Sequence, residues 1–140
     1  MSDKSFLDSN IFIYAYDQRE PVKQSVADNL IRSLAISGDA VISYQVVHEF
    51  FSWALVKGPV KMPQGEAQRY LAVTFRPMHI VASSFALVSD AIRIQDRYRL
   101  SWYDSLIVAA AQQGGCKRLY SEDLQHGQQF GSVAVQDPFR

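Results

Sequence analysis

Phe6-Leu7-Asp8-Ser9-Asn10-Ile11-Phe12-Ile13-Tyr14-Ala15 passes from a short apolar strand straight into a helix, with a carboxylate at the junction. The expected strand is Lys4–Asp8 and the expected helix Ser9–Asp17, with Asp8 or Ser9 as its N-cap. Working outward, the alternation repeats. Pro21–Ser37 reads as a helix: Val22, Val26, Leu30 and Leu34 recur every fourth residue, and Gly38 ends it. Ala40–Ser43 reads as strand two, Tyr44–Lys57 as a helix stopping at Gly58-Pro59, and Gln64–Phe75 as another helix. Met78–Ala82 is strand three. Ser84–Arg99 is an amphipathic helix with Arg93, Arg97 and Arg99 towards its C-terminal end, where the helix dipole favours cations. Trp102–Gln113 is a nearly all-apolar helix closed by Gly114-Gly115, Lys117–Ser121 is strand four, and Val133–Val135 is a fifth, edge strand. Short strands alternating with helices predict an α/β fold with a parallel sheet covered on both faces. No repeat, low-complexity tract or long linker interrupts the pattern, so a single domain is expected over 1–140.

Composition narrows the function. Hydrophobic residues make up 48%, enough for a real core, and 14 basic residues balance 14 acidic ones. With no net charge, contact with RNA or DNA must use local basic patches, which weakens a pure nucleic-acid-binding role more than an enzymatic one. Arg97, Arg99, Lys117 and Arg118 are the candidates for phosphate contacts, and solvated surface charge is the plainer explanation for any one of them. Cys116 is the sole cysteine, so no internal disulfide forms, which fits a reducing cytoplasm. It is expected to be a packed thiol rather than a nucleophile. Met1-Ser2-Asp3-Lys4-Ser5 lacks the pattern of a secretory signal, and no apolar stretch approaches the ~18 residues needed to span a bilayer.

Four acids stand at strand–helix junctions or inside apolar helices: Asp8, Glu49, Asp104 and Asp123. Each isolated carboxylate beside apolar surface is costly to desolvate. Three have ordinary explanations. Asp8 caps a helix, Asp104 lies in a first turn where negative charge is favoured by about 0.3–1 kcal/mol, and Asp123 decorates a turn after Ser121. Glu49 has no capping role, and its helical neighbours Val46, Trp53 and Val56 are apolar. In parallel sheets the active site lies at the carboxyl ends of the strands, where Asp8 and Asp123 are expected. Converging carboxylates repel one another and take up protons unless a divalent ion offsets them. An all-oxygen donor set suits Mg²⁺ or Mn²⁺. Zinc is disfavoured, because one cysteine and the unpaired His48, His79 and His126 do not supply its ligand spacing.

Phe-Leu-Asp-Ser-Asn-Ile-Phe-Ile-Tyr-Ala, Val-Val-His-Glu-Phe-Phe, Trp-Tyr-Asp-Ser-Leu-Ile-Val-Ala-Ala-Ala and Leu-Tyr-Ser-Glu-Asp-Leu-Gln-His-Gly together resemble the four acidic motifs of PIN domains. The resemblance is strongest to VapC-like toxin ribonucleases, and it covers almost the whole chain. It implies a three-layer α/β/α sandwich, here with a central parallel sheet of four to five strands, and Mg²⁺- or Mn²⁺-dependent endonuclease activity on RNA. It implies that Asp8, Glu49, Asp104 and Asp123 form the metal-binding and catalytic quartet. Asp8 and Asp104 would be the principal contacts, with Asn10 and Ser121 as supporting hydrogen-bond partners. Glu122 is an additional acid left outside the quartet. The resemblance further implies a cognate antitoxin protein and often a toxin homodimer. Phe50, Phe51, Trp53, Leu55, Tyr70, Leu71 and Phe75, around Gly58-Pro59, are the candidates for an apolar partner surface, with plain core as the bland explanation.

The expected chemistry is in-line attack by water without a covalent enzyme intermediate, leaving 5′-phosphate and 3′-hydroxyl ends. The competing expectation is a PIN-like module that binds protein or RNA without cutting. Phosphotransfer fits less well, since Asn10 stands where a dehalogenase-type phosphatase needs a second Asp, and Lys117 precedes strand four where a receiver domain needs a Lys after it.

Overall fold

A computed structural model describes residues 3–140. Met1 and Ser2, part of the segment read as lacking a secretory signal, lie outside the described residues. The strands are β1 (Ser5–Leu7), β2 (Ala40–Ser43), β3 (His79–Val81), β4 (Arg118–Tyr120), β5 (Gln129–Phe130) and β6 (Val133–Gln136). The α-helices are α1 (Ser9–Tyr16), α2 (Pro21–Ser37), α3 (Tyr44–Ser52), α4 (Gln64–Tyr70), α5 (Phe85–Tyr98) and α6 (Trp102–Gln113). One sheet in the order β3-β2-β1-β4-β6-β5 joins the strands, parallel throughout except for β5 against β6.

The three layers follow from strand alternation. Ala40 lines a cavity with Ile31 and Leu34 of α2. Its neighbour Val41 approaches Gly114 at the end of α6 so closely that a Cβ there would lie 3.0 Å from Val41 Cγ1. Successive strand residues face opposite sides, so α2 and α6 cover opposite faces of the sheet. On one side α1 packs on α2 and α3; on the other α5 packs on α6. β1 and β2 are buried along their whole length, as central strands covered on both faces must be.

The five expected strands form the parallel part of the described sheet, and a sixth, antiparallel strand joins it because Gln129–Phe130 turns back on β6 through Gly131-Ser132. Gly131 sits at φ 63°, and glycine first in a two-residue loop is a hairpin signature. That makes β5, not the Val133 strand, the edge. Helix α2 has the expected bounds; it buries Ala27 and Ile31, packs Leu30 and Leu34 against the core and leaves Val22 exposed. The apolar set around Gly58 mostly joins the core. Phe50 and Phe75 are buried, Phe51, Trp53, Tyr70 and Leu71 pack against them, and Leu55 remains exposed. Phe50 stacks on Tyr70 with ring centroids 4.6 Å apart. The expected helix ends at Lys57 and Phe75 stand, but the last turns, Trp53–Lys57 and Leu71–Phe75, are π-helical.

Candidate active site

The strand order reverses direction at β1, which lies between β2 and β4. In open parallel sheets this switch point leaves a crevice beyond the carboxyl ends of the strands. Asp8 is the first residue past β1 and Ser121 the first past β4. Their elements are in register, with Leu7 opposite Tyr120, and the Asp8 amide donates to the Tyr120 carbonyl at 3.0 Å. The two side chains therefore meet: Ser121 Oγ donates to Asp8 Oδ2 at 2.8 Å. The other oxygen, Oδ1, accepts the Ser9 amide at 2.7 Å as α1 begins. Asp8 is only 3% exposed.

Ser121 also ties in the next acid. Its Oγ accepts the Asp123 amide at 3.1 Å. Asn10, the second residue of α1, donates from Nδ2 to Asp123 Oδ2 at 3.2 Å. Asn10 and Ser121 thus join the ends of β1 and β4 by side chains. Glu49 lies mid-α3, half-buried, and its Oε2 accepts from Gln45 Nε2 at 3.3 Å. Asp104 is in the first turn of α6, half-buried, with Ser101 Oγ accepting its amide at 3.1 Å.

Electrostatics shows that the four acids share one neighbourhood. Burial raises the Asp8 carboxyl to about 7; hydrogen bonds from Ser121 and the Ser9 amide oppose this, and the charges of Glu49 and Asp123 add to it. Asp104 is also raised, by burial first and by the charge of Asp123, against a hydrogen bond with Ser101. The acids come from β1–α1, α3, α6 and the turn after β4, yet each feels at least one of the others.

The PIN domain family matches residues 5–128, a span that holds all four acids. The chain belongs to the PIN-domain family. PIN domains are a family of nucleases that typically bind a divalent metal. A toxin–antitoxin complex from Klebsiella pneumoniae is similar to this PIN domain with a TM-score of 0.71 at 18% identity, over 96% of this chain and 98% of that one. VapC20, a sarcin–ricin-loop-cleaving toxin from Mycobacterium tuberculosis, is similar with a TM-score of 0.59 at 13% identity, over 84% and 88% of the two chains. At such identities the likeness is one of fold. No curated protein matches the chain. Among the described residues, no helix is long and apolar enough to cross a membrane.

The donor set of this PIN domain suits a hard divalent cation. It is all oxygen, it is short of local positive charge, and its most buried member holds its proton near neutrality, a cost that a cation would remove. Among the described residues no three His, Cys, Asp or Glu side chains stand close enough, as placed, to hold one ion. Mg²⁺ is commonly held by only one or two carboxylates and keeps several waters, so a closed cage is not required.

Glu122 is set apart from the quartet by its partners. Tyr14 Oη donates to Oε1 and Lys23 Nζ to Oε2, each at 2.6 Å. Burial raises Glu122, but these bonds outweigh it and hold the carboxyl below its ordinary value. Of the basic candidates, Lys117 and Arg118 open β4, at the opposite end of the strand from Ser121, and Lys117 lies 3.8 Å from Asp3. Arg99 faces Asp96 at 3.8 Å and Arg97 lies over the Tyr98 ring. Sequence reasoning passed over Gln45, which bonds both Glu49 and the Tyr103 carbonyl. Its signal was the four-residue spacing to Glu49 on one helix face.

Proposed function

We propose that this PIN domain is a Mg²⁺- or Mn²⁺-dependent endoribonuclease, a single domain over 1–140, acting as the cytoplasmic toxin of a toxin–antitoxin pair. The observation that carries the reading is the buried Asp8, raised to about 7 with Glu49 and Asp123 as charged neighbours and no cation of its own. A carboxylate cluster kept in this state is unfavourable unless something positive enters it. Asp8 and Asp104 would be the principal ligands, with Glu49 and Asp123 completing the set. When bound, a divalent cation supplies charge neutralisation at the phosphodiester and acidifies water.

The chain's own groups do the positioning. Ser121 donates its single proton to the Asp8 carboxylate and accepts the Asp123 backbone amide, while Asn10 donates to the Asp123 carboxylate, so the two residues hold both acids at the crevice. Gln45 orients Glu49, which can accept a proton from attacking water. Attack in line on phosphorus then releases 5′-phosphate and 3′-hydroxyl ends; a 2′,3′-cyclic phosphate product would refute it. The toxin reading, with an antitoxin partner, draws support from the fold shared with the Klebsiella pneumoniae toxin–antitoxin complex; a homodimer belongs to the same reading.

The decisive measurement is cleavage of RNA by partner-free protein in millimolar Mg²⁺ or Mn²⁺, with Asp8→Asn and Asp104→Asn as controls. Activity in the wild type that both variants lose supports the reading. A protein that cuts nothing, or variants that cut normally, sinks it.

A further inference from the structure

A second cleft, of about 340 Å³, opens beside the acids and shares Glu49 with them. Its size falls near the lower end of small-ligand sites, roughly 300–1,000 Å³, so it admits one planar ring system and not a helix. Two aromatic side chains line it, Tyr44 and Tyr103, which are 47% and 64% exposed. Leu106 adds apolar surface. Ser43 lines it too, at 4% exposure, and its Oγ has no hydrogen-bond partner among the described residues. Buried hydroxyls are seldom left unpaired in a folded protein, and this one borders an open cleft. Gln45 then links the cleft to the acids, since its Nε2 donates both to Glu49 Oε2 and to the Tyr103 carbonyl.

The geometry points to this cleft as a subsite for one unstacked nucleobase of single-stranded RNA, stacked on Tyr103 and Tyr44. Stacking on aromatic faces is the common mode by which proteins hold single strands, and it asks for no net charge. A neutral base suits a cleft whose wall includes a carboxylate of the quartet; an anionic group does not. The inference deepens the ribonuclease reading and rests on it: a base seated here sets the adjoining phosphodiester near Glu49 and Asp8.

The test uses the full chain in chelator and single-stranded RNA hexamers carrying 2-aminopurine at each position in turn. Stacking should quench the fluorescence at one position. Tyr103→Ala should weaken binding about tenfold and abolish the quench, whereas Tyr103→Phe should restore both. In Mn²⁺ the same alanine variant should raise KM while kcat stays within a few-fold. Unchanged binding in both Tyr103→Ala and Tyr44→Ala would overturn the subsite, as would a fully paired duplex or an abasic oligonucleotide binding as well as the hexamer. Loss of a protein partner's binding with RNA binding intact would overturn it also. A chain that cuts RNA with tyrosine-independent KM keeps the nuclease and loses the subsite. A chain that shows the tyrosine-dependent quench but never cuts keeps the subsite and loses the nuclease.

Discussion

The two ends of α1 carry the same residue type in opposite circumstances. Asp8 caps its start and Asp17 its end, and they are 3% and 8% exposed. Asp17 stands at the negative end of the helix dipole, the worse position for an anion. Arg19 compensates: its Nε and Nη2 lie 3.0 and 2.8 Å from the two carboxylate oxygens, and its amide donates as well. These bonds hold Asp17 below the ordinary carboxylate range. Asp8 has the favourable end of the dipole and still rises to about 7, because burial and two like charges exceed what a helix terminus supplies. Burial by itself therefore does not mark a functional acid. The informative state is a buried acid with other acids for neighbours and, among the described residues, no ion pair like that of Arg19 with Asp17.

The sharpest way to break this contrast is activity. Asp8→Asn should lower RNA cleavage by about 10²-fold or more, the scale of losing one electrostatic group at a reacting centre, while Asp17→Asn should leave kcat within a few-fold. Equal losses would erase the distinction.

Stability against pH comes next, in chelator. Asp8 binds its proton more tightly folded than unfolded. Its stabilising contribution is present below about pH 4 and lost as pH rises through about 7. At pH 8 metal-free Asp8→Asn should thus be more stable than wild type by about 1–3 kcal/mol in urea denaturation. Added Mg²⁺ should close that gap by stabilising the wild type alone. An Asp8→Asn variant that is less stable than wild type in chelator at pH 8 would make Asp8 a structural cap. Asp17 has the opposite slope, since its contribution is present above the ordinary carboxylate value and lost as pH falls through its lowered folded one. Asp17→Asn should cost about 1 kcal/mol at neutral pH, modest because Arg19 is largely exposed.

The smallest effect should come from Glu122, the acid next to Asp123. Lys23 and Tyr14 already satisfy it, so Glu122→Gln should change stability by less than about 1 kcal/mol and leave cleavage within a few-fold. Asp123→Asn, one residue on, should reduce cleavage strongly in the same assay.

Much of this was legible in the chain, for local reasons. A strand that runs into a helix through Asp8 announces a carboxylate at a strand end, and period and punctuation marked both partners of the central strand pair. The β5 hairpin was missed because two residues of strand have no periodicity to detect. Lys117 and Arg118, gathered in sequence with Arg97 and Arg99 near the last helix–strand unit, stand at the opposite end of β4 from Ser121, which only the direction of the strand decides.

By itself the sequence determined which residues bear charge, where strands give way to helices, and that four acids stand at strand–helix junctions or inside apolar helices, since these depend on local identity and spacing. Only tertiary structure decided that Ser121 and Asn10 join the ends of two strands, that Lys23 neutralises Glu122 from 99 residues away, and that Asp8 keeps a proton near neutrality. Those outcomes depend on strand order and register. The reversal at β1 brings distant segments into one crevice, and burial there changes what each carboxylate can do.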